Sequence, residues 1–189
     1  MELALRKDVG LNKVLDKSVL AFFFIIGISL GAFVRIPLPF TPVPLTLQTF
    51  FVLLCAACLG MRWSLFVQSV YLFLGIVGLP VFAGANSGLW YLLGPTAGYL
   101  LGFVLAAVFI SLLSKYSRDC FALTLGLFLL ADVLLLLCGA LWLKVSLQIN
   151  LMHSLLIGFF PFLAGDALKA FFAAFLFWKI KKEIFGLLL

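Results

Sequence analysis

The sequence predicts an all-α integral membrane protein: a six-transmembrane-helix bundle with both termini cytoplasmic. Two observations predict the class and a third predicts the orientation. The chain has 189 residues, of which 66% are hydrophobic and 11% charged, more apolar side chain than a soluble domain of this size can hide. The apolar residues fall into six segments, separated by short charged turns or by connections rich in proline and glycine. The basic residues at the segment ends are strongly biased to one side. They form no continuous patch, so the net charge of +6 is not a nucleic-acid signal and no nucleic-acid partner is expected.

Residues 1–17 read as a short cytoplasmic amino-terminal segment, where Arg6, Lys7, Lys13 and Lys17 outnumber Glu2, Asp8 and Asp16. No small-residue cleavage signal follows the first apolar run, so that run is expected to be an uncleaved span, Ser18–Val34, of about minimal crossing length. Gly27 and Gly31 lie on one face of it, a small-residue stripe that lets another helix approach closely. The neighbour is either a helix of this chain or a partner subunit. Pro37, Pro39, Pro42 and Pro44 then forbid a regular helix. Their segment is nevertheless apolar, and irregular backbone at membrane depth is tolerated only when buried in protein or lining a cavity. A rigid loop folding back on the bundle is expected.

The second span covers Leu45–Leu59, with Gln48 as a helix-to-helix hydrogen bond or a pocket wall. Cys55 and Cys58 have a redox or metal spacing but read as small packing residues in an apolar run with no second pair beside them. Gly60–Trp63 is a tight turn, and the third span runs over Ser64–Val77. A second long, uncharged, glycine-rich connection follows to Thr96. Within it, Asn86 closes a turn or meets a ligand, and Trp90 and Tyr91 are interface anchors or ring-stacking walls. The fourth span is Ala97–Leu113, turned around by Lys115–Asp119. The fifth is Cys120–Leu141, with Asp132 mid-span and no base one turn away; Trp142 and Lys144 stand at its exit. Ser146–Leu156 is a semi-polar connection with room for a short helix. Its His153, the only histidine, has no further ligand at metal spacing.

The sixth span lies in Gly158–Trp178. Pro161 suits a first helical turn. Asp166 and Lys169, three apart, share one face, although even a single charge at the centre of a membrane helix costs roughly 2.5–3.5 kcal/mol. The pair is either self-neutralising or part of a ligand site. Lys179, Lys181 and Lys182 close the chain. With Arg62, Lys115, Arg118 and the four amino-terminal bases they make ten on one side, against Arg35 and Lys144 on the other. Both termini are therefore assigned to the cytoplasm. The two irregular loops and the start of the sixth span then share the external end, and the three features converge on one external pocket.

No phosphate-binding loop, Ser/His/Asp set or metal cluster is present in the sequence, so the site binds without evident means of chemistry. A carboxylate accepts N–H donors, an ammonium meets an anion, Asn86 meets a carbonyl, and aromatic and aliphatic walls enclose an apolar body. The matching ligand is small and partly apolar, with a urea- or amide-like head and an acidic tail.

Four stretches carry a resemblance: Arg35–Thr49 (RIPLPFTPVPLTLQT), Gly78–Gly84 (GLPVFAG), Leu93–Phe103 (LGPTAGYLLGF) and Pro161–Lys169 (PFLAGDALK). Together, in this order, they resemble the BioY family, the biotin-binding S components of energy-coupling factor (ECF) transporters. The resemblance implies one transmembrane substrate-binding domain over residues 1–189 in a bacterial-type cytoplasmic membrane. It implies biotin as transported ligand, no cofactor, and as partners a transmembrane coupling protein and two ATP-binding-cassette ATPases. It places Asp166, Lys169 and Asn86 at the ligand; beside them, Gln48, Tyr99 and Trp90 are expected as further binding residues, and Gly27 and Gly31 as candidates for part of a partner-docking face. Ala85 and Ser87 interrupt the family's glycine run, and Ala97 replaces a usual glycine. The glycine-rich loop has no arginine or lysine, which leaves the ligand carboxylate to Lys169 and backbone N–H groups. The alternatives are a solitary facilitator or proton-coupled secondary transporter, in which Asp132 relays protons, and a membrane enzyme, for which no catalytic set is evident.

Overall fold

A computed structural model describes residues 2–117 and 120–188, with side chains described over 14–114, 116–117 and 120–184. The turn expected at Lys115–Asp119 therefore lies largely outside the described residues, as do the side chains of Arg6, Lys7 and Lys13. Helix α1 spans Glu2–Gly31, α2 Gln48–Ile76, α3 Leu89–Leu92, α4 Ala97–Ser117, α5 Phe121–Leu147, α6 Leu151–Gly158 and α7 Phe160–Leu188. Strands β1 (Arg35–Ile36) and β2 (Leu45–Thr46) form one small antiparallel ladder. Among the described residues, five helices are long and apolar enough to cross a membrane: α1, α2, α4, α5 and α7. Helices suit such a chain because each satisfies its own backbone groups where no water can.

Helix α2 is where the observed elements depart most from the expected ones. The second and third expected spans are one element, broken at Gly60, whose backbone (φ 72, ψ 178) is not helical. The break reverses the chain. Gln48 Nε2 donates to Tyr71 Oη at 2.6 Å across 23 residues, a stretch that would separate them by about 35 Å in a straight helix. Each arm is short, so neither alone spans a typical hydrocarbon core of about 30 Å without help from the adjoining loops. Ser111 of α4 bridges the arms near the break, donating to Ala56 O at 3.1 Å and lying 3.2 Å from Ser64 Oγ.

Around this hairpin, α1 packs on α2, α4 packs on α2 and α5, and α7 closes against α2 and α5. Close approach of α4 to α5 depends on glycine: a Cβ on Gly102 would lie 2.9 Å from Leu135 O and 3.1 Å from Leu135 Cα. Leu53, Phe128, Leu135, Leu136 and Phe177 fill the interior, while Phe22, Phe73, Leu101, Leu112, Leu130 and Phe172 point outward. An apolar outer face as well as an apolar core is what a bilayer requires.

Other boundaries shift for physical reasons. Helix α1 continues through the polar segment expected to precede the first span, because hydropathy marks the buried part of a helix and not its polar extension. Leu45 and Thr46, expected in the second span, are the strand β2, paired with Ile36 and Arg35. Leu47 N donates to both Gly31 O and Val34 O at 3.1 Å, which closes the neck of the proline loop onto the end of α1. Trp142 and Lys144 lie within α5 and not beyond it. The short helix expected near Ser146–Leu156 is α6, capped by Asn150, whose side chain accepts from His153 N at 2.7 Å.

The glycine stripe of α1 is spent inside the chain. A Cβ on Gly27 would fall 2.6 Å from Phe51 Cδ1, and one on Gly31 would lie 3.1 Å from Gln48 N. Both glycines admit α2, so the face assigned to a partner subunit from the sequence is occupied by this chain's own second helix.

Candidate ligand-binding cavity

Helix α7 starts at Phe160, with Pro161 in its first turn. This register carries Gly165, Asp166 and Lys169 to the end of the bundle covered by the two irregular loops. Gly165 lets the proline loop sit down on α7, since a Cβ there would be 2.9 Å from Leu45 Cδ2. Asp166 is 2% exposed and forms a salt bridge with Lys169. Thr49 Oγ1 donates to Asp166 Oδ1 at 3.2 Å, and Lys169 Nζ donates to Thr46 O at 2.7 Å. A buried ion pair is tolerated only when its remaining donors and acceptors are satisfied, and β2 and the start of α2 supply those partners.

A chain of side chains extends from this pair. Thr46 Oγ1 donates to Gln48 Oε1 at 3.3 Å, Gln48 Nε2 to Tyr71 Oη at 2.6 Å, and Tyr71 Oη to Val81 O at 3.3 Å. It ties the proline loop, both arms of α2 and the glycine-rich loop together. The two sequence readings of Gln48, helix-to-helix bond and pocket wall, both describe it. Phe82, fully buried, locks the glycine-rich loop from the other side: it stacks on Tyr91 at 4.9 Å, meets Tyr71 edge-on at 5.7 Å and occupies the space where Gly75 lacks a Cβ.

Between these elements lies a hollow of about 500 Å³, a volume that includes the open space at its mouth. Thr46, Gln48, Thr49, Asp166 and Lys169 make its polar end; Leu100, Phe103, Leu135, Leu136 and Phe162 make much of its apolar wall. Tyr99 also lines it, held by donation of its hydroxyl to Gly158 O at 2.5 Å. Four residues singled out in the sequence, Asp166, Lys169, Gln48 and Tyr99, thus meet at one hollow.

Asn86 and Trp90 do not line that cavity. They line an adjoining cleft with Arg35, and the cleft and the cavity share Pro44, Ala83, Tyr91 and Thr96. Asn86 Nδ2 donates to Ala83 O at 2.8 Å, closing its own turn. Trp90 is 83% exposed, an anchor's position, while its neighbour Tyr91 faces the cavity. Burial pushes the Tyr91 phenol up, opposed by a hydrogen bond to Thr96 and by the charge of Arg35. The sequence does not place Thr49 or Arg35 at the site and leaves Tyr91 as either an anchor or a ring-stacking wall; the folded chain brings Thr49 and Tyr91 to the cavity and Arg35 to the cleft. Asp132 is 3% exposed, and its Oδ1 has no hydrogen-bond partner. It stands on α5 one turn before Leu135 and Leu136, within electrostatic reach of Asp166 and Lys169.

A sequence model of the BioY family matches residues 6–185. The chain belongs to the BioY family. It is 37% identical over 155 residues to the biotin transporter BioY of Thermotoga maritima, covering 82% of this chain and 89% of that one. It is 38% identical over 139 residues to the biotin transporter BioY2 of Lactococcus lactis subsp. cremoris, covering 70% and 73%. Among solved structures, the S-component for biotin from an ECF-type ABC transporter superposes with a TM-score of 0.83 at 26% identity, covering 90% of this chain and 93% of that one. BioY proteins are transporters and not enzymes, and this chain is an integral protein of the cytoplasmic membrane.

Proposed function

We propose that this BioY protein captures biotin at the cavity between α2, α4, α5 and α7 and delivers it across the cytoplasmic membrane. It does so as the S component of an ECF-type ABC transporter, with a transmembrane coupling protein and two ATPases supplying the energy. The observation that carries the reading is the Asp166–Lys169 pair at the polar end of an otherwise apolar cavity, in a chain whose relatives are biotin transporters. A ureido head offers two N–H donors and a carbonyl acceptor, which match a carboxylate beside an ammonium. The bicyclic body and aliphatic tail match walls of Leu and Phe.

The reversal at Gly60 supports counting the arms of α2 as separate passes, which makes six spans with both termini on one side. The excess of basic residues at that side puts the termini in the cytoplasm and the cavity at the outer face. On a background without the native cysteines, Trp90→Cys is expected to react with a membrane-impermeant maleimide added outside intact cells; reaction only after lysis refutes this orientation.

Isothermal titration of the purified protein in detergent tests the substrate. Wild type is expected to bind biotin, and Asp166→Asn to bind at least a hundredfold more weakly, the order of loss for truncating a desolvated charged contact. No binding by wild type overturns biotin as the ligand. Solitary uptake is a second reading, favoured by the unpartnered intramembrane Asp132. Biotin uptake that persists in cells lacking the ATPases selects it; uptake that vanishes selects the S-component reading.

A further inference from the structure

We propose that Arg35 is the anion receptor of this site, taking the carboxylate of an acidic ligand in the cleft between the two outer loops. The assignment rests on the reading that the cavity holds an acidic ligand, and it replaces the sequence expectation that Lys169 and backbone N–H groups serve that end.

Arg35 stands on β1 directly across from Thr46, and Thr46 O holds the Lys169 ammonium at 2.7 Å. One cross-strand pair therefore joins the two cations of the site. The guanidinium then reaches over the glycine-rich loop. A Cβ on Gly84 would collide with Arg35 Nη1, lie 3.0 Å from Arg35 Cζ and lie 3.2 Å from Asn86 Nδ2. Gly84, at φ +83, is the seat on which Arg35 and Asn86 converge, and it offers a carboxylate two kinds of N–H donor side by side.

Among the residues lining the cavity and the cleft, Asp166 is the single acid, and Lys169 and Arg35 are the two bases. Asp166 and Lys169 neutralise each other in a salt bridge. Arg35 makes no salt bridge among the described residues. The lining is left with one uncommitted positive charge, which complements a monoanion. Arginine suits the task better than lysine because its planar fork meets both carboxylate oxygens at once.

The cleft holding Arg35 adjoins the cavity, and Pro44, Ala83, Tyr91 and Thr96 line both. A ligand with its polar head on Asp166 and an aliphatic tail along Tyr91 has Arg35 at its exit. Nothing in the sequence pairs Arg35 with Asn86, fifty-one positions later; the two meet at Gly84 only when both loops fold over the end of the bundle.

The test compares biotin with biotinamide, which has the same head and a neutral tail, by titration of the purified full chain in detergent. Arg35→Gln is expected to weaken biotin by about tenfold or more, the scale of a charge-assisted bidentate contact, while biotinamide binding changes less than about threefold. Arg35→Lys is expected to fall between Arg35→Gln and wild type for biotin. Equal weakening of both ligands by Arg35→Gln overturns the proposal in favour of a structural role for Arg35. Unchanged biotin affinity overturns it in favour of a carboxylate held elsewhere. Wild type that binds neither compound overturns the biotin reading itself, and this assignment with it.

Discussion

The two ends of the site are built by opposite strategies. At the inner end, Asp166, Lys169, Thr49, Gln48 and Tyr71 sit on helices and are already bonded to one another or to Thr46. At the outer end, Arg35 on β1, Asn86, and Trp90 on α3 belong to the two covering segments, and the glycine-rich one includes four residues at positive φ, Gly78, Gly84, Ala85 and Gly88. Arg35 there makes no salt bridge among the described residues, and Trp90 stands in the open. The inner end is preorganised, so binding needs little ordering of side chains but must exchange existing hydrogen bonds for ligand ones. The outer end carries the charge that the proposal above assigns to the ligand carboxylate. On that reading, the head group and the carboxylate are recognised at separate places.

Mutations sharpen that contrast, beginning with the largest effect. Lys169→Ala strands a carboxylate in the interior, and about 3–5 kcal/mol of stability is expected to be lost, measured by thermal unfolding in detergent. Combining Asp166→Asn with Lys169→Met removes the uncompensated charge; stability should largely return while biotin binding stays lost. If stability does not return, the pair is not what Lys169→Ala disrupts.

Tyr71→Phe comes next. It leaves the buried Gln48 amide short of its partner at an expected cost of about 1–3 kcal/mol. Loosening between the proline loop and α2 should appear as faster amide exchange around Leu47–Thr49. At the outer end the effects are smaller and differ in kind. Ala85 adopts φ 59, a left-handed conformation unfavourable to a side chain. Ala85→Gly is expected to gain less than about 1 kcal/mol, and a loss would show that the methyl group makes contacts worth more than the strain. Trp90→Ala should leave stability within about 0.5 kcal/mol of wild type; a larger drop in unfolding temperature would mean that Trp90 packs on the loop and is not an exposed anchor.

Much of the inner end is legible in the sequence, because charge inside an apolar run is conspicuous and an i,i+3 spacing survives any rigid rotation of the helix. Pro161 as a helix start and the two loops as irregular cover are legible for the same reason: proline and glycine constrain backbone locally. Gly60 reads as a turn, yet the hydrogen bond from Gln48 to Tyr71 that the turn permits is invisible, since it joins residues 23 apart. Gly27 and Gly31 announce a close approach without naming the neighbour. Trp90 and Tyr91 present the same ambiguity one residue apart, resolved only when the short helix α3 turns one outward and the other inward.

The sequence by itself determined the membrane class, the location of the irregular loops and the acid–base pair in the last long helix. Tertiary structure decided which surfaces of those helices meet each other and which meet lipid. Phe22 and Phe23 are exposed while Phe24 is buried, and Leu134 is exposed while Leu135 is buried. In water such neighbours would differ in polarity, because burial selects the apolar ones. In a bilayer both the interior and the surroundings are apolar, so hydropathy carries no record of which way a side chain faces, and the cavity and its mouth emerge only from packing.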